Sequence, residues 1–447
     1  MITKIEVDGF KSLSKFDLRL KKGLNILVGP NGSGKTNVIL FFEFLSNIIT
    51  YEIGSAISLV GGAGTIFQKI GEQRYVDKIS SKIYGCIQIR PKTYFVYEYF
   101  FEIKISFDKD NVYFINQEIR LRSASKFWSD PDDKKYTKEW DFHVQFIKGQ
   151  DESEDLKILQ FNREKIPPRF SFSATKSAPG LKDYLLDYGL SHNSIVRCLF
   201  QVVEYSRMIQ TDLKGGETFN IIPSRVRELE DLATPPGIRK DGSGLATTLY
   251  AMKKGKRSLP RMERSRVLLR SEHLRTYGPE TLKRIITYLK AANSTIKSLE
   301  VDNDPFSNKL IVKVSVTTGS YEAVLPLSAM SDGTIKWLTL ITAILTSRSI
   351  FSIEEPENFL HPWMQAEIAS IMRDHLSEKG SYAFVLMTTH SESLLNSARP
   401  EEVIKVDLRE GGTVAKRITR LKAVKREISL SGFGLGHFYF ANALSNE

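Results

Sequence analysis

The sequence predicts an α/β fold with a mixed, largely parallel sheet, a β-rich lobe and a mixed, helical insertion, and three observations carry that prediction. The apolar run 24–28 leads through a glycine-rich octapeptide into a helical pattern. Strand and helix patterns alternate again from residue 310 to 410, and such alternation implies a largely parallel sheet covered on both faces. The stretch between these blocks is longer than either and loses the alternation. The expected domains are an N-terminal half at 1–120, an insertion at 121–309, a C-terminal half at 310–410 and a basic segment at 411–447.

Taken in order, residues 1–7 alternate as an edge strand and lack the long apolar core of an export signal. The run 24–28 is a second strand, and Val38, Ile39, Phe41, Leu45 and Ile48 space one face of a helix. Strand patterns follow at 94–107 and 112–121. Asp130-Pro131-Asp132-Asp133 and Asp151-Glu152-Ser153-Glu154-Asp155 punctuate loops. Within the insertion Thr234-Pro235-Pro236-Gly237 breaks the chain, Asp241-Gly242-Ser243-Gly244 starts a helix through Leu245 and Leu249, and 282–289 is amphipathic. No heptad pattern persists, so no coiled-coil arm is expected. Strands at 310–316 and 322–325, a helix from Thr334, a strand at 349–353, a helix from Trp363 and strands at 383–387 and 403–407 complete the order.

With 447 residues, 41% hydrophobic and 26% charged, the chain has the composition of a soluble globular protein of two or three folding units. Cys86 and Cys198 are its only cysteines. They argue against a disulfide framework or a zinc site and point to a reducing, cytoplasmic setting. Apolar runs stop well short of the length that spans a bilayer, so no membrane is expected. The net charge of +11 is concentrated in two places: nine Lys or Arg from Lys253 to Arg275 against Glu263 and Glu272, and six from Lys416 to Arg426 against none. Two explanations stay open, a polyanionic partner such as DNA or two solvated helix faces.

The octapeptide Gly29-Pro30-Asn31-Gly32-Ser33-Gly34-Lys35-Thr36 is a complete phosphate-binding loop between strand and helix. Its glycines let backbone N–H groups curl around phosphates, Lys35 reaches the β- and γ-phosphates, and the Thr36 hydroxyl is placed to hold Mg²⁺, with Asn37 next on the first helical turn. The strand at 349–353 delivers Glu354 and Glu355 at its C-terminal end, where ligands of open α/β sheets sit. Glu354 can hold the Mg²⁺ shell and Glu355 can orient or deprotonate an attacking water. Met387-Thr388-Thr389-His390-Ser391 ends the next strand, and His390 can donate to a γ-phosphate; His361 is assigned a structural hydrogen bond. Leu327-Ser328-Ala329-Met330-Ser331-Asp332-Gly333-Thr334 is a polar turn at a helix start. There Ser331, Asp332 and Gly333 form an anion site from N–H groups and the helix dipole.

Phosphate loop, Ser-x-Gly turn, Glu-Glu-Pro-Glu-Asn strand end and Thr-His-Ser switch, in that order, resemble the ABC-type ATPase head of the SMC/RecF branch, and most of all the OLD-like stand-alone ATPases. Gly9-Phe10-Lys11-Ser12 fits that branch too. The resemblance covers residues 1–120 and 310–410. It departs at Met330, where Leu is usual in the signature turn, and at Glu354, where Asp is commoner. It implies ATP and Mg²⁺ as ligands, with Lys35, Glu355 and His390 catalytic. It also implies a dimer or larger homo-oligomer that sandwiches two ATP molecules, Lys35 and Thr36 of one subunit facing Ser331, Asp332 and Gly333 of the other. The class also has a glutamine loop, for which Gln68 and Gln117 are candidates.

OLD-like nucleases carry a Toprim nuclease domain after the ATPase. Here 57 residues follow His390 and contain no Asp-x-Asp pair. The expectation is an ATPase whose nuclease or toxin effector is a separate protein, as in two-component phage-defence systems. The alternative, motivated by the basic stretches, is a RecF-like DNA-binding ATPase of repair or maintenance. A transporter-associated ATPase is disfavoured by the Glu-Glu-Pro-Glu-Asn and Ser-Asp-Gly-Thr combination and by the size of the insertion.

Overall fold

The computed structural model describes residues 1–72, 74–106, 111–128, 139–165, 178–199, 203, 206–215, 217–255, 278–319, 321–347, 350–379 and 383–441. They belong to two compact units. The first is built from Met1–Glu217, Gly380–Leu386 and Pro400–Leu421, the second from Thr218–Lys379, Met387–Arg399 and Lys422–Glu447. In chain order the elements used below are β1 (Ile2–Asp8), β2 (Phe16–Arg19), β3 (Gly23–Val28), α1 (Lys35–Thr50), β4 (Lys78–Arg90), β5 (Thr93–Ser106), β6 (Asn111–Ala124), β7 (Phe142–Lys148) and β8 (Glu154–Phe161). They continue with β9 (Glu217–Phe219), β10 (Glu230–Asp231), α2 (Pro279–Ala292), β11 (Ile296–Asp304), β12 (Lys309–Thr318), β13 (Tyr321–Pro326), α3 (Asp332–Thr346) and β14 (Ile350–Glu354). Last come α4 (Pro362–Lys379), β15 (Phe384–Thr389), α5 (Glu392–Ser397), β16 (Val403–Arg409), β17 (Gly412–Arg417) and α6 (Leu421–Ser431).

In the first unit seven strands form an antiparallel sheet in the order β2-β1-β4-β5-β6-β7-β8. The two-residue period of a strand sets its inner face: Phe95, Tyr97, Tyr99, Phe101 and Ile103 alternate along β5 and are all buried. A register shift beside Ile103 bulges β6, so Phe114 and Gln117, of opposite parity, are both buried. The outer face carries ion pairs, Lys82 to Glu98 at 3.1 Å and Arg120 to Glu98 at 3.5 Å across strands and Arg120 to Glu118 at 2.8 Å along β6. The sheet runs past residue 120, because β7 and β8 extend it into the stretch whose sequence pattern is mixed.

The phosphate-loop strand lies in this unit as well. β3 runs parallel to β16, with Ile26 opposite Val403, and β17 returns antiparallel to β16. The turn between β16 and β17 is Glu410-Gly411, both residues at positive φ (51° and 77°), as a two-residue hairpin of matching twist requires. The sheet is mixed, as the sequence predicts. Helix α1 buries Phe41 and Phe44 against Phe10, each pair with ring centroids 5.5 Å apart.

The second unit holds an antiparallel sheet, β10-β12-β11 with β13 also on β12, and β14, flanked by β9 and by β15. Every residue from Thr334 to Leu345 in α3 is buried, the pattern of a helix enclosed on all sides. Its hydroxyls are satisfied internally, Thr339 donating to Ile335 O at 2.8 Å and Thr342 to Leu338 O at 2.7 Å. Trp337 Nε1 donates to Tyr288 O of α2 at 3.0 Å. No described helix is long and apolar enough to cross a membrane.

Candidate functional site

In the first unit the octapeptide is a tight loop between β3 and α1. Gly32 and Gly34 have φ of 79° and 99°, a region L side chains rarely adopt. Packing adds a second demand. A Cβ on Gly29 would lie 2.0 Å from Val406 O, and one on Gly34 would lie 1.9 Å from Thr413 Oγ1. The β16–β17 hairpin therefore presses on the loop at both ends. Thr413 also accepts or donates to Ser12 Oγ at 2.6 Å, and Asn37 Nδ2 donates to Ser12 Oγ at 2.7 Å. Asn37 thus spends its amide on the Gly9-Phe10-Lys11-Ser12 turn.

Three features suit the loop to an anion. Gly34 offers α1 no side-chain cap, so the first-turn N–H groups are left for another acceptor. The Ser33 hydroxyl is buried without a hydrogen-bond partner among the described residues. Lys35, buried, folds back so that its Nζ donates to Gly29 O at 2.9 Å and Pro30 O at 3.0 Å. Pro30, Asn31, Gly32 and Thr36 are exposed.

In the second unit Glu354 ends β14 and Glu355 starts the turn that leaves it, with φ 41°. A non-glycine residue in this region is held there by its surroundings: the Glu355 N–H donates to Thr388 O and Thr388 Oγ1, both at 3.2 Å. Asn358 Nδ2 donates to Glu355 Oε2 at 3.1 Å, and His390 Nε2 stands 3.9 Å from Glu355 Oε1. The structure thus brings Glu355 and His390 together. Glu357, which the sequence places in the Glu-Glu-Pro-Glu-Asn strand end without a role of its own, holds them in register: its Oε1 accepts Thr389 Oγ1 at 2.8 Å and the His390 N–H at 2.6 Å. Ser391 caps α5, accepting from Leu394 N–H at 3.1 Å. His361 Nδ1 accepts the Trp363 N–H at 3.3 Å at the start of α4.

The polar turn is the start of α3, two residues earlier than the sequence pattern suggests, because Ser331 caps the helix by accepting the Thr334 N–H at 3.3 Å. A Cβ on Gly333 would lie 2.8 Å from Phe359 O, so glycine lets this turn abut the Glu355–Leu360 loop. Arg227, which no local pattern marks, staples it: the guanidinium meets Asp332 Oδ1 at 2.6 Å and donates to Met330 O at 2.9 Å and Ser328 O at 3.2 Å.

Of the two glutamines, Gln117 is set aside by its bonding. Its Oε1 accepts Tyr99 Oη at 3.1 Å and Ile195 N–H at 2.8 Å, and its Nε2 donates to Leu190 O at 2.7 Å and Asn193 O at 2.9 Å. A buried amide using all its bonds this way is a core fixture. Gln68 lies beside the Gly9 turn, its N–H donating to Gly9 O at 2.9 Å. Most of the first basic stretch lies outside the described residues. In the second, Arg417 is structural: it donates to Glu401 O at 3.1 Å and Arg19 O at 3.1 Å and contacts Asn25, and burial pushes its pKa down to about 10. Lys422, Lys425 and Arg426 are exposed on α6.

A glycine-rich phosphate-loop sequence between strand and helix, with an acidic strand end and a strand that ends in Thr389-His390, is the motif set of an ATPase of the ABC/AAA class. Residues 24–396 match the family described as "AAA domain, putative AbiEii toxin, Type IV TA system", and the chain belongs to that family. It is similar to the DNA replication and repair protein RecF of Corynebacterium jeikeium, 30% identical over 59 residues, which are 13% of this chain and 14% of the relative. It is also similar to the chromosome partition protein Smc of Methanocaldococcus jannaschii, 50% identical over 38 residues, 8% of this chain and 3% of the relative. The chain thus spans only a small part of the curated relatives it matches. Among solved structures it is similar to an Smc head bound to the C-winged helix domain of ScpA, 12% identical with TM-score 0.48, over 94% of this chain and 99% of that one. An Smc head with an extended coiled coil, bound to the C-terminal domain of ScpA derived from Pyrococcus furiosus, is 14% identical with TM-score 0.48, over 96% and 99%.

Proposed function

We propose that this chain binds ATP with Mg²⁺ and hydrolyses it as a dimer or larger homo-oligomer, acting in the cytoplasm as the sensor ATPase of an anti-phage defence system that controls a separate nuclease or toxin effector. The observation that carries ATP binding is the octapeptide loop, with glycines demanded by both φ and packing, an uncapped helix start and a buried Ser33 hydroxyl with no partner among the described residues. The N–H groups of residues 32–37 cradle phosphate oxygens, and Lys35 leaves Gly29 O and Pro30 O for the β- and γ-phosphates. By the resemblance of the motifs, the exposed Thr36 hydroxyl and the Glu354 carboxylate would each serve as a ligand for Mg²⁺. Among the described residues no group of three or more His, Cys, Asp and Glu could hold a metal by itself. Bound there, the ion would neutralise charge on the phosphates.

Glu355 orients the water and takes its proton as the water oxygen attacks the γ-phosphorus, and ADP leaves through its β-phosphate oxygen. His390, 3.9 Å from Glu355, donates to the γ-phosphate. Ser331, Asp332 and Gly333 present the α3 N-terminus to the nucleotide of a second copy, with Arg227 keeping the turn in shape. Arg227→Ala is expected to weaken ATP-dependent self-association on the order of tenfold, the equivalent of about one lost charge-assisted bond, while leaving ATP binding to the single subunit unchanged. Sedimentation with and without ATP checks this.

The defence role draws on the resemblance of the motifs to OLD-like ATPases and on the toxin–antitoxin wording of the family description. A RecF-like role on DNA is favoured instead by the RecF relative and by the exposed cations of α6. One experiment separates the two: native mass spectrometry of tagged Glu355→Gln protein, expressed from its own locus and purified with ATP and Mg²⁺. A stoichiometric second protein supports the defence role and identifies the effector. A homo-oligomer carrying DNA supports the RecF-like role and overturns the first.

A further inference from the structure

Lys336 lies just past the first turn of α3, five residues beyond the Ser331 cap, and is 2% exposed. Its Nζ donates to Ile221 O at 3.2 Å, and its other two N–H bonds have no partner among the described residues. Burial pushes the Lys336 pKa down, while the carboxylates of Glu357 and Glu355 push it back up. Glu357 has the complementary deficit. Its Oε1 holds Thr389 and His390, but its Oε2 is buried with no hydrogen-bond partner among the described residues. A buried ammonium with spare donors and a buried carboxylate with a bare oxygen, each in the other's field, are costly apart and would satisfy each other if brought together.

The helix that carries Lys336 is placed to bring the two together. Its N-terminal turn is the Ser331–Gly333 turn, Gly333 abuts the backbone of the Glu355–Leu360 loop, and one continuous, buried helix joins that turn to Lys336. We infer that Lys336 is a positioning residue linking the signature turn to the hydrolytic loop. When Ser331–Gly333 engage the nucleotide of a second copy, α3 carries Lys336 Nζ from Ile221 O to Glu357 Oε2, and Glu357 then locks the Thr389–His390 backbone beside Glu355. Lys336 touches no reacting atom. Its two acceptors define the two states that such coupling needs. The inference rests on the ATPase function proposed above.

The test compares the full chain with Lys336→Met, Lys336→Arg, Glu357→Gln and the Lys336→Met/Glu357→Gln double variant. Affinity is read with a fluorescent ATP analogue, kcat and KM from phosphate release, and Tm by calorimetry. Lys336→Met and Glu357→Gln should each lose about 10–100-fold in kcat, the size of a misplaced catalytic geometry, with nucleotide affinity unchanged. Lys336→Arg should recover most of the loss, and the double variant should lose no more than the worse single, as residues of one device do. Losses that multiply in the double variant, or a Lys336→Met kcat within about threefold of wild type, overturn the inference, because a merely structural lysine lowers Tm without selecting kcat. If Lys336→Met does not fold, Lys336→Gln, which keeps a donor for Ile221 O, takes its place with the same expected outcomes. Failure of the ATPase function looks different: the unmodified chain then shows no Mg²⁺-dependent turnover and Lys35→Ala changes nothing.

Discussion

Glu355→Gln protein is expected to bind ATP as tightly as wild type and to hydrolyse it about 10²–10⁴-fold more slowly, the range a general base contributes. The substitution is isosteric, so the constraints on the unusual backbone survive: the residue-355 N–H still reaches Thr388 O and Oγ1, and the side-chain oxygen still accepts from Asn358. Only the charge and the proton-accepting lone pair are lost. Because nucleotide then persists, the ATP-bound dimer should accumulate, visible as an earlier elution on size exclusion with ATP and Mg²⁺. His390→Ala is the internal comparison. His390 stands beside Glu355 but shares no strong bond with it at 3.9 Å, so its removal should slow turnover less than Glu355→Gln does. Turnover of Glu355→Gln within about threefold of wild type would sink this assignment, since no general base is worth so little.

Lys35→Ala should abolish tight nucleotide binding, weakening it by about 100-fold or more, because two charge-assisted contacts to the phosphates disappear at about 1.5–3 kcal/mol each. The same variant should not unfold the protein. The ammonium donates to Gly29 O and Pro30 O of its own loop, and those carbonyls lie next to the exposed Pro30 and Asn31, where water can replace it. Isothermal titration with ATP and Mg²⁺ reads the loss, and a Tm within a few degrees of wild type separates it from misfolding. Gly34→Ala provides a contrasting case. Its Cβ would meet the Thr413 hydroxyl at 1.9 Å on a backbone of φ 99°, so binding and stability should fall together. Retention of submicromolar ATP affinity by Lys35→Ala would mean that the loop is not the phosphate site.

Local runs were the legible part. The octapeptide, the strand ending in Glu354-Glu355, the Thr389-His390 switch and the Ser331–Gly333 turn each draw their chemistry from residues adjacent in the chain, so composition and spacing reveal them. The same holds for strands and helices of strong period: the β5 alternation and the aromatic face of α1 are visible because each side chain's burial repeats with the geometry of its own element. β7 and β8 escaped because they lie within the acidic, mixed stretch, and β17 because its six residues are half exposed and rich in charge.

What the sequence by itself determined is the class of chemistry: a phosphate loop, two carboxylates, a histidine and a capped anion turn, each on its predicted kind of element. Tertiary structure alone decided which residues support them. Gly29 and Gly34 are confined by Val406 and Thr413 of a hairpin some 400 positions along the chain, Ser12 joining Thr413 across 401 residues. Arg227 reaches the signature turn across 103 residues, Lys336 reaches Ile221 across 115, Gln117 is a core fixture where sequence offered a coupling loop, and Arg417 is a half-buried brace where it offered a polyanion contact. The physical reason is common to all. A contact between distant parts of the chain depends on how elements pack, and packing leaves no period or spacing in the residues that make it.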